Sequence, residues 1–211
     1  MRAGALRSGA LALLDGGVLA VLRDGLGTIE VAGSVALDLM VWPDIDLYAR
    51  LEPGEASRLL AVLPRLAESL ARAGQPVERV AFRDEHLQRD PAFPDSPGLY
   101  LGVTTCGASG ARRGADPGAR GWKLDLWAWD AARYAPQHRC HAELAAKLAR
   151  ADRDVVLRLK AALWDQPGYR SADVYAFALA DAGSSLEDFE RFRSERSASR
   201  KAGPQVDRGS P

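Results

Sequence analysis

The stretch Val31 to Tyr48, VAGSVALDLMVWPDIDLY, constrains this chain more than any other. It reads as a buried strand end, a Gly33-Ser34 turn, a short apolar helix, and a second strand opening on Asp44-Ile45-Asp46. Side chains alternate along a strand, so Asp44 and Asp46 share a face, roughly 6–7 Å apart at about 3.3 Å rise per residue. Two carboxylates side by side in an otherwise apolar strand repel each other and are costly to desolvate. A divalent cation, hard and oxygen-seeking, resolves that cost. Pro43 restricts Trp42 to extended geometry and so helps aim the carboxylates. Gly33-Ser34 precedes the helix, where free backbone N–H groups and the positive helix end face an anion such as a phosphate. The stretch therefore offers a metal site beside a phosphate site.

The surrounding pattern predicts a mixed α/β chain. Leu11, Leu14, Val18, Val21 and Leu22 recur at helical spacing and predict a first amphipathic helix against a sheet. The apolar run 9–22 that holds them is interrupted by Asp15 and followed by Arg23-Asp24. It reads as neither a secretory leader nor a bilayer span. Thr28–Ala32 is expected as the first strand, Ser34–Met40 as the short helix and Asp44–Leu51 as the second strand. Leu59, Leu63, Leu66 and Leu70 then mark one face of a helix from Glu55 to Arg72, stopped by Gly74 and Pro76. Val77–Arg83, Leu99–Thr105 and Trp122–Trp129 read as strands. Between them, 84–97 is expected as a loop at the mouth of the site. The segment 107–121, GASGARRGADPGARG, is expected as a mobile hairpin loop whose Arg112, Arg113 and Arg120 could screen phosphates.

After Asp130 the pattern turns helical. One helix is expected over His141–Trp164, with Leu144, Leu148, Val155, Leu159 and Leu163 on a stripe, and another over Ser171–Ala182. Ser184 to Asp188 looks like the capped start of a last helix, with Phe189 and Phe192 facing in. The expected organisation is a catalytic core over 1–135, a helical appendage over 136–196 and a disordered tail over 197–211. His138, Cys140 and His141 are close enough in sequence to chelate a metal, without an evident fourth ligand. Cys106 and Cys140 read as free thiols of a reducing cytoplasm.

A third carboxylate, Asp125, lies inside the apolar strand Trp122-Lys123-Leu124-Asp125-Leu126-Trp127. Gly33-Ser34, then Asp44-x-Asp46, then a later single carboxylate in a strand resembles the pattern of the nucleotidyltransferase fold superfamily, the DNA polymerase beta-like group. The resemblance covers roughly the first two-thirds of the chain. It looks closest to the small bacterial members that include antibiotic-modifying enzymes. It implies a mixed sheet flanked by helices, followed by a small helical segment. It also implies transfer of an NMP group from a nucleoside triphosphate, ATP first, to a hydroxyl of an acceptor. Asp44, Asp46 and Asp125 would be the catalytic metal ligands for two Mg2+ ions. Gly33 and Ser34 would bind the β- and γ-phosphates, and Lys160 of the helical segment would reach the triphosphate.

The acceptor is set by charge more than by motif. Lys plus Arg equals Asp plus Glu, 28 each, so nothing argues for a nucleic-acid or membrane-surface partner. A small-molecule acceptor fits that balance, and a protein hydroxyl, as in an adenylylating antitoxin, fits nearly as well. A non-catalytic nucleotide-binding module is the other class, and the presence of all three carboxylates counts against it. The first helix, Trp127 and Trp129 suit a core and an oligomer interface equally, so the oligomeric state stays open.

Overall fold

The computed structural model describes residues 2–52, 54–86, 98–107 and 121–201. Arg112, Arg113 and Arg120, and nearly all of the two loops expected beside the site, lie outside the described residues. The chain forms two compact units, Met1–Ala146 and Lys147–Pro211. The boundary of 135 read from the sequence falls inside a helix.

The first unit contains α1 (Arg2–Leu13), α2 (Leu19–Leu26), β1 (Ile29–Ala32), α3 (Gly33–Ala36), β2 (Asp44–Arg50), α4 (Ala56–Ala61) and α5 (Leu63–Arg72). It continues with β3 (Val77–Asp84), β4 (Leu99–Thr105), β5 (Lys123–Trp129) and α6 (Ala131–Leu148), the last of which runs across the boundary. The five strands make one mixed sheet in the order β1-β2-β5-β4-β3. β2 and β5 run parallel, and the other neighbours are antiparallel. This is the mixed α/β class that the sequence predicts.

Alternation divides the sheet into two chemically distinct faces. Ile45, Leu47 and Ala49 of β2, Leu124, Leu126 and Ala128 of β5, and Leu101 and Val103 of β4 are buried in one apolar cluster. Ala10, Leu14, Val18 and Leu22 of the N-terminal helices belong to the same cluster and are 1% exposed or less. The other side of the same strands carries Asp44, Asp46 and Tyr48, and Asp125 and Trp127.

The N-terminal helix is longer than the run 9–22. Its first turns carry Ala, Leu and Arg, all good helix formers, so the helical stretch runs Ala3–Leu26 with a kink at Gly17, and its most apolar 18 residues have mean hydropathy 1.6. By length and composition alone that stretch could cross a membrane, although its apolar face is spent on the sheet. A π-helical turn at Leu14–Val18 joins α1 to α2. There Gly17 takes φ 123° and lies against α5, where a Cβ would meet Ser69 Oγ at 3.0 Å.

Other differences from the sequence reading have local causes. α3 is one turn long because Asp38 turns left-handed at φ 55° and the Leu39 N–H donates to the Ser34 carbonyl at 2.9 Å. The helix expected over 55–72 divides into α4 and α5 beside Pro64, which has no N–H to continue the ladder. The helix expected over 141–164 is two helices. α6 begins ten residues earlier, where the Asp130 carboxylate accepts the Arg133 N–H at 2.9 Å. A new helix, α7 (Arg153–Leu163), starts at Asp152, whose Oδ1 accepts from the Asp154 and Val155 N–H groups at 2.9 and 3.1 Å.

The second unit contains α7, α8 (Ser171–Leu179) and α9 (Leu186–Lys201). The start of α9 is capped as expected. The Asp188 N–H donates to Ser185 Oγ at 3.1 Å, and the Ser185 N–H donates back to Asp188 Oδ2 at 3.2 Å. α9 extends to Lys201, into the segment expected to be disordered, and the residues beyond it lie outside the described ones. Phe177 meets Phe189 and Phe192 edge-on, with centroids 5.6 and 5.5 Å away.

Leu47 backs directly onto the carboxylate face and is completely buried. Leu47→Ala should cost about 2–5 kcal/mol, from lost burial plus the cavity left behind. A urea midpoint shift at unchanged slope would show it.

Candidate functional site

The site is set by strand register. Parallel pairing places Asp46 opposite Asp125, and Asp44 opposite Lys123. Alternation then sends all four side chains to the face away from the N-terminal helices. One ligand atom from each of Asp44, Asp46 and Asp125 lies within 4.8 Å of the others. Among the described residues, no other set of His, Cys, Asp or Glu has metal-holding spacing.

The cluster is under-compensated. Asp44 Oδ1 is buried and accepts no hydrogen bond. The nearest cation, Lys123 Nζ, is 3.5 Å away and also contacts Asp125 Oδ2. Burial, then the negative charge of Asp46, raises the Asp44 pKa well above the ordinary carboxylate value, and Lys123 offsets this only in part. Burial also works against the Lys123 ammonium, but Asp44 and Asp125 outweigh it and raise its pKa. Asp44 and Asp125 thus share one ammonium. A hard, acceptor-only set of oxygens with an unbonded buried member suits a divalent cation such as Mg2+.

Asp125 is held by two groups that the sequence reading missed. The Tyr100 hydroxyl donates to Asp125 Oδ1 at 2.7 Å, and Lys123 Nζ donates to Oδ2. Burial, then the charge of Asp125, pushes the Tyr100 phenol above its usual range, so it stays a donor. Gly102, paired with Asp125 across β4 and β5, leaves room for that ring. A Cβ at Gly102 would lie 2.9 Å from Tyr100 Cζ. The sequence carried one signal for Lys123, its place two residues before Asp125 on the same face. Tyr100 becomes visible only with the β4–β5 register.

Gly33 sits beside the carboxylates and has a role there that the sequence did not show. Gly33 has φ 56°, and a Cβ there would come 1.8 Å from Asp46 Oδ2. The glycine therefore makes the space in which the Asp46 carboxylate lies. Its N–H is not open to an anion, because it donates to His141 Nε2 at 3.1 Å. Ser34 is 9% exposed. Arg7 Nε from α1 donates to the Val35 carbonyl at 3.0 Å and holds this turn.

His138 and His141 of α6 do not form a chelate with Cys140. Both turn to Glu30 of β1, His138 Nδ1 at 2.7 Å from Oε2 and His141 Nδ1 at 3.9 Å from Oε1. Cys140 and Cys106 are exposed free thiols. Lys160 lies in the second unit, 1% exposed, its Nζ donating to the Tyr175 hydroxyl at 3.0 Å.

No family model and no curated protein matches the chain. Among solved structures, 26 chains match. The Cid1 poly(U) polymerase with MgGTP bound is similar over 74% of this chain at 16% identity, with a TM-score of 0.42. A cytoplasmic RNA terminal U-transferase is similar over 73% at 15% identity and 0.38, and an mtPAP mutant in complex with ATPgammaS over 74% at 15% and 0.36. This chain spans 42%, 38% and 35% of those chains respectively, well under half of each. At such low identities and scores, the chemistry has to come from the side chains themselves.

Gly33→Ala should displace the Asp46 carboxylate, besides costing about 1–2 kcal/mol for the left-handed backbone. Mn2+ affinity by calorimetry should fall at least about tenfold. The His141 contact predicts a pH effect. Burial lowers the His141 pKa below 6.5, against the pull of Glu30. The folded chain therefore takes up the proton less readily than the unfolded chain. Stability is full above about 6.5 and is lost as pH falls through that value towards the folded one. Urea unfolding between pH 5 and 8 should show this slope, reduced in His141→Gln.

Proposed function

We propose that this chain is a metal-dependent nucleotidyltransferase that moves an NMP group from a nucleoside triphosphate, ATP first, to a hydroxyl of a small-molecule acceptor. The observation that carries this reading is the juxtaposition of Asp44, Asp46 and Asp125 on one sheet face, with ligand atoms within 4.8 Å. The order of those residues after Gly33-Ser34 is the one that resembles the nucleotidyltransferase superfamily.

Asp44, Asp46 and Asp125 would hold Mg2+. Bound there, the ions would neutralise charge on the transferring phosphoryl group and lower the pKa of the acceptor hydroxyl. Asp125 would assist as a base for the acceptor proton through the oxygen away from Tyr100. Its other oxygen is fixed by the Tyr100 hydroxyl, so the carboxylate is oriented before substrate arrives. Gly33 keeps Asp46 in place by having no side chain to exclude it. The protein contributes mainly position and charge, as expected for transfer through a transition state with dispersed negative charge. Contacts of Ser34 with the β- and γ-phosphates, and of Lys160 with the triphosphate, enter this reading from the resemblance alone.

A small-molecule acceptor is favoured over a nucleic acid because the chain has equal numbers of acidic and basic residues. Backbone phosphates are bound chiefly by an excess of Lys and Arg. Nucleoside triphosphate and Mg2+ are supplied in the cytoplasm, where the reading places the chain.

Calorimetry with a non-hydrolysable ATP analogue, with and without Mg2+, tests the proposal. The parent should bind only with metal, and Asp46→Asn should not bind measurably. Asp46→Asn should melt in chelator at the same temperature as the parent or higher, because one member of a repelling cluster is gone. Metal-independent binding, or undiminished binding by the variant, would overturn the reading.

A further inference from the structure

The cation already inside the carboxylate cluster belongs to the protein. Lys123 opens β5 opposite Asp44, two residues before Asp125. Its ammonium contacts Asp125 Oδ2 and lies 3.5 Å from Asp44 Oδ1. These are oxygens of two of the three residues that would ligate a metal. The ammonium thus stands where a dication would have to stand or touch. At contact distance, inside a protein, the two would repel strongly.

Lys123 is also built to leave. Its side chain is 32% exposed, so a path to water is open, whereas those of Asp44 and Asp125 are 16% and 13% exposed. Nζ also lies over the Trp42 ring, 5.5 Å from its centroid, a π-face that can stay in contact with the cation as it moves outward. A four-carbon stem with rotatable bonds can move between these positions while the strand stays fixed.

We infer that Lys123 is a tethered counter-ion. It holds the Asp44–Asp125 cluster together without metal, and it must swing out for Mg2+ to enter, so it sets the metal affinity of the site. The inference rests on the metal-site reading above and goes beyond it. It makes metal entry an exchange of one cation for another. It also frees an ammonium at the rim of the site at the moment metal binds, where an anionic phosphate oxygen would find it.

The test measures metal binding without nucleotide. Mn2+ titration of the parent and Lys123→Met by calorimetry should show the variant binding at least about tenfold tighter. In EDTA the variant should melt at a lower temperature than the parent, and saturating Mn2+ should close that gap. Equal or weaker Mn2+ binding by the variant overturns the inference and leaves the metal site standing. Absence of Mn2+ binding by both proteins overturns the metal site and the inference together. Should Lys123→Met fail to fold, the parent answers alone. Reductive methylation read by mass spectrometry should modify Lys123 slowly in EDTA and faster in Mg2+. An unchanged rate overturns the inference.

Discussion

Mutual repulsion of three carboxylates on one face of β2 and β5 is the constraint that the first unit is built to withstand. At about 4 Å, two unit charges cost on the order of 4 kcal/mol at an effective dielectric of 20. A fully buried aliphatic side chain contributes roughly 1.5–3 kcal/mol. Ile45, Leu47, Leu124 and Leu126 are each 2% exposed or less behind the carboxylates, so burial on the apolar face is of the size needed to offset the acidic one. The same strands carry both faces. A slip of one residue between β2 and β5 would place aspartates in the core and leucines in water. The apolar face thus specifies the register that brings Asp46 beside Asp125.

The carboxylates were legible in the sequence because their cue is local. Asp44-x-Asp46 declares a shared strand face by spacing alone, and Asp125 stands out in an apolar hexapeptide. Strand Leu99–Thr105 was legible for the same reason. Tyr100, Gly102 and His141 were not, because each acts across a pairing or a packing that no window of sequence contains. The Gly33-Ser34 turn was found without its steric role. Its importance is the missing Cβ beside Asp46, while its N–H is occupied by His141. Helix limits failed where single residues intervene, such as Asp38 turning left-handed after α3 or Asp152 opening α7.

Lys160 illustrates a misread periodicity. The sequence reading put Leu159 and Leu163 on the apolar stripe and left out Lys160, which stands between them. Val156, Leu159, Lys160 and Leu163 stand at i, i+3, i+4 and i+7, which is one helix face, and all four are buried. A lysine in such a stripe needs a polar partner, and Tyr175 of α8 supplies a hydroxyl. The contact ties α7 to α8 within the second unit, among the aromatic side chains that make its core.

The parallel pairing of β2 with β5 has a consequence for how the chain reaches its native state. Everything from α4 through β4 lies between those two strands in sequence, so their union closes a long loop. Hairpin-like neighbours such as β1 with β2 can form from local encounters, whereas β2 with β5 has to await the intervening elements. Until that union Asp125 is apart from Asp44 and Asp46, and its repulsion with them is absent from every earlier intermediate. The share of the electrostatic frustration that Asp125 brings is thereby deferred until β5 docks on β2. During synthesis that step waits until β5 has left the ribosome.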